Sequence, residues 1–340
     1  MEHKWSLAAP PVTGLVRPVR VDPRGESGPA RGHARGSGWR WTGPGLVVPS
    51  TVTDDQVEQR ILEAATAAGD HAVVTGWAAL RLLGGGFFDG LARDGSTRLP
   101  VPIAAGGGRI RPRAGVLLSY DDVPPDEILV VHGIRCAVAE RALFDEIRRE
   151  QLFADQVVAA DMAFGGELTS IRRMRRYRWT RYWYRDVRRL DRVLPWSSDH
   201  ARSRPEVDLR LVWVGHADWT DPLVNREVLD LEGHHVGIPD LLDIRRGVAG
   251  EFAGAGHRTI DQHESDVERA ARFRRVGLET FEVVRRDLSR KSVIHARMDE
   301  AAERAALLPQ RWQLGPPARD LDDVLDRRDA LRAPRDARSG

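Results

Sequence analysis

The sequence predicts an α+β protein, because helical and β-prone patterns alternate along its C-terminal half. Residues 205–214 form a helical pattern with Pro205 in its first turn, where a missing amide hydrogen is tolerated. Short glycine-containing breaks at 232–234 and 245–247 separate β-prone runs, which predicts two hairpins. Apolar residues at helical spacing after Ser265, a candidate N-cap, predict a second helix. The predicted order is helix 205–214, strands 224–231, 236–244 and 247–252, helix 265–276 and strand 279–284.

Two carboxylates in these strands are expected to face each other. A hairpin that turns about Arg245 and Arg246 pairs Asp240 with Glu251. Directly opposed residues share a sheet face, with their Cβ atoms about 5 Å apart. Like charges at that distance repel each other, and a divalent cation bound through oxygen atoms offsets the repulsion. We therefore expect Mg²⁺, with Mn²⁺ as a substitute, at Asp240 and Glu251.

The element order and several spaced residues resemble the PD-(D/E)XK nuclease superfamily, and within it the very-short-patch-repair endonuclease-like branch. The resemblance covers residues 202–288 and is carried by Ser203, Glu206, Arg210, Pro239, Asp240, Glu251, Gly254, His257, Asp266 and Arg269. It implies a restriction-endonuclease-like αβββαβ domain that cleaves DNA with Mg²⁺. In this interpretation Glu206 completes the metal shell through a water, and His257 is the base or proton donor. Arg210 and Arg269 hold phosphate or support the acids.

One position departs from the pattern of this branch. The residue two after Glu251, usually Lys in the superfamily and Asp in the branch, is Ala253. Alanine can neither hold a metal nor orient a water. Lysine occurs only at Lys4 and Lys291, and Lys291, just past the last strand, is the one candidate for a migrated lysine. The chain is therefore a weakened nuclease, a nuclease that uses His257, or a nuclease fold kept only for binding.

Histidines near the acids raise zinc as an alternative metal. Zinc sites take three or four protein ligands at recognisable spacing, and no HExxH pair occurs. The adjacent His234 and His235, in a hairpin turn, are expected to be exposed polar residues. The single cysteine, Cys136, excludes an internal disulfide and a cysteine-based zinc site, and we expect it to be a buried small hydrophobe.

Composition limits the class of protein more than it identifies a partner. Of the 340 residues, 41% are hydrophobic and 30% charged, and no run approaches the roughly 20 apolar residues of a membrane span. The start has no apolar core of signal-peptide length, so we expect a cytoplasmic protein without a membrane partner. The net charge of +2 neither favours nor excludes binding to nucleic acid. Evidence for such binding must come from how the charges are distributed along the chain.

The best candidate for a DNA contact is the stretch 171–193, where arginines interleave with aromatic residues. Arginine binds phosphate in a bidentate way, and aromatic rings stack on exposed bases. The residues that we assign to this contact are Arg175, Arg176, Arg178, Trp179 and Arg181. The alternative is a pair of helices with a solvated arginine face and buried aromatic side chains. The pattern does not distinguish DNA from RNA.

The N-terminal half predicts a winged-helix-like region and a small mixed α/β region. Residues 38–49 form a β-ribbon pattern broken at Gly43-Pro44-Gly45, after basic, glycine-rich sequence. This ribbon resembles the wing of AbiEi-type antitoxins, which implies a transcriptional regulator with a cognate toxin as partner; a simple β-arm is the alternative. Downstream, the predicted elements are helix 53–68 capped by Thr53, helix 73–83, strands 99–104, 115–119 and 128–131, and helices 137–147 and 151–162.

Five segments follow from these patterns. They are a winged-helix-like or β-arm segment (1–52), an AbiEi-like domain (53–170), Arg/aromatic connecting helices (171–200), the nuclease-like domain (201–310) and a charged, partly disordered tail (311–340). The predicted function is a DNA-binding protein with a Mg²⁺-dependent endonuclease-like domain. The competing classes are a non-catalytic regulator or antitoxin with a nuclease fold, and a structural protein that binds other proteins. The sequence does not specify the oligomeric state.

Overall fold

The structure is a computed structural model that describes residues 7–106, 108, 110–253 and 260–332, with backbone alone at 260–267 and 332. The described chain forms two compact units. The N-terminal unit comprises residues 7–150 and 185–187, and the C-terminal unit comprises residues 151–184 and 188–332. Both combine helices with mixed or antiparallel sheets, so the predicted α+β class is confirmed at this level.

A small antiparallel sheet belongs to the N-terminal unit. Its strands are β1 (Val19–Arg20), β2 (Trp39–Gly43) and β3 (Leu46–Pro49), in the spatial order β1-β3-β2. The ribbon predicted at 38–49 is confirmed: β2 and β3 pair antiparallel, and Gly45 adopts a φ of 72° between them. The middle strand β3 buries Leu46, Val47 and Val48.

A second, mixed sheet of the same unit contains five strands in the order β6-β5-β4-β8-β7. They are β4 (Val73–Val74), β5 (Val101–Ala104), β6 (Val116–Ser119), β7 (Ile128–Val131) and β8 (Ile134–Ala137). The three predicted strands are confirmed as β5, β6 and β7, whereas β4 and β8 were not predicted. Val73 and Val74 are β-branched and lie in the middle of the sheet, so pairing with both neighbours overrides the helix predicted at 73–83.

Helices of the N-terminal unit begin later than the sequence predicts. They are α1 (Val57–Ala68), α2 (Gly76–Leu82) and α3 (Ala139–Arg149). Thr53 does not cap α1, whose N-cap position is Gln56 and has no side-chain capping bond. The intervening aspartates, Asp54 and Asp55, pair with Arg98 instead, which holds that segment outside the helix.

Seven helices are described in the C-terminal unit. They are α4 (Phe153–Gly165), α5 (Ile171–Thr180), α6 (Arg189–Val193), α7 (Arg204–Val214), α8 (Ile260–Arg275), α9 (Lys291–Ala305) and α10 (Leu321–Arg332). The helix predicted at 205–214 is confirmed as α7, and the backbone N–H of Glu206 donates to Ser203 Oγ at its start. Ser265 does not cap α8, because that helix begins at Ile260. None of the described helices combines the length and apolar character needed to cross a bilayer.

The central sheet of this unit has the strand order β14-β13-β12-β9. Its strands are β9 (Leu223–Val224), β12 (Leu241–Asp243), β13 (Val248–Phe252) and β14 (Glu279–Val283). Strands β9, β12 and β13 pair antiparallel, whereas β13 and β14 pair parallel and are joined through α8. The predicted turn about Arg245 and Arg246 is confirmed, and Gly247 closes it with a φ of 65°.

Two predicted strands each divide into two, which creates a separate small sheet. Its strands are β10 (Val228–Asp230), β11 (His235–Gly237) and β15 (Trp312–Leu314), in the order β11-β10-β15. The run at 224–231 breaks where Asn225 adopts a φ of 50°, and the run at 236–244 breaks at Pro239, which has no amide hydrogen for a ladder. The hairpin predicted at 232–234 is confirmed, with Gly233 at a φ of 89°.

The C-terminal tail was predicted to be charged and partly disordered, at least at its end, and within it residues 321–332 form helix α10. Its aspartates pair with arginines of α5: Arg172 with Asp322, and Arg173 with Asp326 and Asp329. Leu321 and Leu325 are buried as well, so a short apolar face and these long-range ion pairs together hold the helix in place. Residues 333–340 lie outside the described residues.

Gly237 leaves no room for a side chain, which gives a first testable prediction. A Cβ at this position would lie 2.6 Å from Cζ of Phe273, a fully buried ring in the core between the small sheet and α8. Gly237→Ala is therefore expected to lower the free energy of unfolding by about 1–3 kcal/mol. Urea titration of Gly237→Ala and of Gly38→Ala, where the added Cβ meets open space, checks it. Equal midpoints for the two variants would contradict the close packing.

Candidate functional site

Asp240 and Glu251 lie at the same end of the β12–β13 hairpin. The ladder pairs Leu241 with Gly250, so the same register extended by one residue sets Asp240 opposite Glu251. The backbone N–H of Phe252 donates to Asp240 Oδ2 at 2.8 Å, which holds the carboxylate beside strand β13. In this register the two acids occupy opposed positions, which lie on one face of a sheet.

Glu206 is fixed in the first turn of α7 by three donors. Ser203 Oγ donates to Oε1 at 2.9 Å, while the Arg202 amide at 3.0 Å and Asn225 Nδ2 at 2.8 Å donate to Oε2. Only 8% of Glu206 is exposed, so water screens the interaction of its charge with neighbouring charges less than at the surface. The bond from Asn225 connects α7 to the turn that follows β9 and brings Glu206 to the acid pair's side of the unit.

The pKa of Asp240 is shifted by burial and by the charges around it. Burial raises the pKa of Asp240 to about 6, and the negative charge of Glu206 adds to the rise. The Phe252 amide and the positive charges of Arg269 and Arg202 oppose that rise. Negative charge at this site is therefore costly in the folded chain, and a bound cation would relieve the cost.

Arg269, on α8, is the arginine that the structure brings to the acids. Its Nη2 lies 2.9 Å from Oε2 of Glu251, whose side chain is one-tenth exposed. Arg210 lies elsewhere: its Nη2 donates to Asp161 at 2.5 Å and to the Trp196 carbonyl at 2.7 Å. Arg210 is 6% exposed, so it neither faces the acid pair nor offers a surface to DNA.

A different set of side chains has the tightest metal-ligand spacing. Within the described ranges, Asp230, Glu232 and His234 are the one trio of acidic and histidine residues whose ligand atoms all lie within 4.8 Å of one another. Glu206, Asp240 and Glu251 do not reach that spacing as a trio. The turn trio is exposed at two of three members, and Asp230 already accepts bonds from the His234 amide and ring. This trio was not among the predicted site residues, although the spacing Asp-x-Glu-x-His across a tight turn is its signal in the sequence.

The remaining predicted residues near the acids contribute less. The Ala253 amide donates to the Val283 carbonyl at 2.8 Å, which extends the pairing of β13 with β14 and adds no functional group. Lys291 is exposed at the start of α9. His257 and the side chain of Asp266 lie outside the described residues.

The Arg/aromatic stretch divides into a buried and an exposed face. Met174 and Tyr177 are buried, whereas Trp179, Tyr182 and Trp183 are 77%, 69% and 60% exposed. Of the arginines assigned to DNA, Arg175 and Arg176 are exposed, Arg178 pairs with Asp191 at 2.9 Å, and the Arg181 guanidinium lies 6.0 Å from the centre of the Trp183 ring. The exposed face thus combines cations with aromatic rings that can stack on bases. The alternative of buried aromatic side chains holds for Tyr177 and not for Trp179, Tyr182 and Trp183.

Comparisons with known proteins identify no relative. No protein-family model, curated protein or solved structure matches the chain. The chemistry of the site therefore follows from its own groups, which are three carboxylates, the guanidinium of Arg269, and the exposed cationic and aromatic face of α5.

Proposed function

We propose that the C-terminal unit binds DNA and hydrolyses its phosphodiester bonds with Mg²⁺ held by Asp240 and Glu251. The observation that carries this proposal is the hairpin register, which sets Asp240 opposite Glu251. The pKa of Asp240 is raised to about 6 by burial and by the charge of Glu206, which agrees with a site that favours a cation. A carboxyl whose pKa is strongly raised and that lies beside other acids is typical of metal and catalytic sites.

The donor set fits this ion. Magnesium prefers hard oxygen ligands and is usually held by one or two carboxylates, with waters and substrate phosphates in the other positions. Asp240 and Glu251 supply the two carboxylates, and Glu206, whose carboxylate accepts bonds from Ser203 and Asn225, acts through a water. When bound, Mg²⁺ supplies Lewis-acid polarisation of the phosphodiester and lowers the pKa of a water.

The protein's own groups have separate tasks in this proposal. The Phe252 amide orients Asp240, and the Arg269 guanidinium orients Glu251 and limits the repulsion between the acids. Arg175, Arg176 and Trp179 bind the backbone and stack on bases outside the cleavage site, which suits exposed arginine and indole side chains. His257 remains the proposed base or proton donor.

The order of elements supports the same proposal. Helix α7, strands β9, β12 and β13, helix α8 and strand β14 follow the αβββαβ order expected of a PD-(D/E)XK nuclease, with β10 and β11 as an insertion. The parallel β13–β14 pair joined through α8 is the βαβ part of that arrangement.

A second candidate is a non-catalytic DNA-binding regulator, and two observations favour it. Ala253 provides no metal ligand at the position where the nucleases that this sequence resembles place one. The pair between Arg269 and Glu251 already neutralises part of the acid charge without a metal. The β2–β3 ribbon, if it is an AbiEi-like wing, would assign this regulator to a toxin–antitoxin system with a cognate toxin as partner.

Plasmid nicking and gel-shift assays on the purified chain separate the two functions. The nuclease proposal predicts nicking in Mg²⁺ or Mn²⁺ that stops in EDTA. DNA binding that persists in EDTA, with no nicking in either metal, would establish the regulator instead. If the site is weakened but assembled, Ala253→Asp or Ala253→Lys is expected to raise the nicking rate.

A further inference from the structure

A small cavity in the N-terminal unit is lined by three arginines. It measures about 260 Å³ and lies beside helix α1 and the strands β2, β5 and β6. Its charged lining residues are Arg60, Arg98, Arg113, Asp54 and Glu63. The cavity lies in a different unit from the acid pair and has no part in the proposed cleavage.

Both acids of the lining already have cationic partners. Glu63 pairs with Arg40 at 2.5 Å, and Asp54 pairs with Arg98 at 2.8 Å. Arg60 and Arg113, in contrast, have no carboxylate in ion-pairing distance among the residues that the structure describes, and each donates to a backbone carbonyl instead. The Arg60 guanidinium also lies over the Trp77 ring, 5.2 Å from its centre. Two guanidinium groups of the lining are therefore without an ion-pair partner within the described chain.

These two guanidinium groups are held in an environment that disfavours charge. Burial lowers the pKa of Arg113. Burial also lowers the pKa of Arg60, the charge of Arg98 adds to that effect, and Asp54 and Asp89 oppose it. In addition, Thr42 Oγ1 and Arg60 Nε are shielded from solvent without a hydrogen-bond partner within the described chain. A bound anion would offset both deficits, because it supplies negative charge and acceptor atoms.

We propose that this cavity binds a small phosphate monoester. Two guanidinium groups without an ion-pair partner match the charge of a phosphate monoester, about −1.5 to −2 at pH 7, better than the single charge of a carboxylate. Leu99, Val101 and Val116 provide apolar walls for a small organic group. At about 260 Å³ the cavity lies just below the roughly 300 Å³ at which drug-sized ligand pockets begin, so the organic group must be small.

Titration calorimetry of the full chain with phenyl phosphate, inorganic phosphate and benzoate tests this assignment. We expect phenyl phosphate to bind most tightly and benzoate most weakly. Arg60→Gln and Arg113→Gln are each expected to weaken phenyl phosphate binding about tenfold or more, because each removes a charge-assisted hydrogen bond. Arg111→Gln, an exposed arginine of the same loop, is the matched control and should leave the affinity unchanged.

Thr42→Val provides a second test of the proposal if the arginine variants do not fold. The Thr42 hydroxyl has no partner among the described residues, so this variant should unfold at the same temperature or higher and bind phenyl phosphate several-fold more weakly. Unchanged affinity in all folded variants, or no binding beyond an equal ionic strength of NaCl, would overturn the proposal. A short DNA duplex that displaces phenyl phosphate, with an affinity that depends on Arg60 and Arg113, would also overturn the proposal. The cavity would then bind a phosphate of the DNA backbone.

Discussion

Asp240→Asn is expected to lower the rate of Mg²⁺-dependent plasmid nicking by about a hundredfold or more. The substitution removes one of two carboxylates that would hold the ion, and metal-assisted charge stabilisation contributes several kcal/mol at about 1.4 kcal/mol for each factor of ten in rate. Asparagine retains an oxygen that can accept the Phe252 amide, so the hairpin should remain intact. Initial nicking rates at saturating Mg²⁺ measure the effect.

Two comparisons make this result specific to the acid pair. Glu251→Gln should cause a loss of similar size, whereas Asp230→Asn, in the exposed turn trio, should leave the rate within about twofold of wild type. In EDTA, Asp240→Asn should unfold at the same temperature as wild type or higher, because burial disfavours the charge that it removes. A variant that remains folded and nicks DNA at the wild-type rate would exclude Asp240 from catalysis.

Arg210→Met is expected to lower the free energy of unfolding at pH 8 by about 3–5 kcal/mol. Asp161 has no solvent-exposed surface, and Arg210 is its ion-pair partner at 2.5 Å. Methionine fills similar space without a charge, so Asp161 would be left buried with the Ser198 amide and the Ser197 side chain as its hydrogen-bond partners, and with no cation beside it. The pair of Arg178 and Asp191, in which Asp191 is half exposed, provides the control, because Arg178→Met should change stability by less than about 1 kcal/mol.

The pH dependence of this loss provides a second readout. Burial is the main cause that raises the pKa of Asp161 from 3.8 to about 7, and the charge of Arg210 opposes the rise. The folded chain therefore binds the Asp161 proton more tightly than the unfolded chain, so this residue lowers wild-type stability as the pH rises from about 4 to about 7. Without Arg210 the deprotonated form becomes costlier still. Urea titrations should show a larger deficit at pH 8 than at pH 5, and an equal deficit at both would contradict this linkage.

Interactions between residues close together in the sequence were sufficient to predict much of the secondary structure of the C-terminal unit. The β12–β13 register follows from the turn at Gly247, and the start of α7 follows from Ser203 and Pro205. Both features depend on residues within a few positions of one another. The opposition of Asp240 and Glu251 was predictable for the same reason.

Features that depend on distant partners were not predictable. Helix α10 is stabilised by Arg172 and Arg173, about 150 positions earlier in the chain. Likewise, Arg210 is four residues from Glu206 on α7, which suggested a shared role, yet its partner Asp161 lies on α4. The arginine cavity could not be found from spacing, because its lining comes from segments between Thr42 and Val116.

Binding of Mn²⁺ to the purified chain, measured by titration calorimetry in wild type and variants, tests the central claim most directly. The acid pair predicts that Asp240→Asn and Glu251→Gln each weaken Mn²⁺ binding at least about tenfold, whereas Asp230→Asn does not. Unchanged Mn²⁺ affinity in both acid-pair variants, or loss of binding in Asp230→Asn alone, would contradict a metal centre at the end of the β12–β13 hairpin.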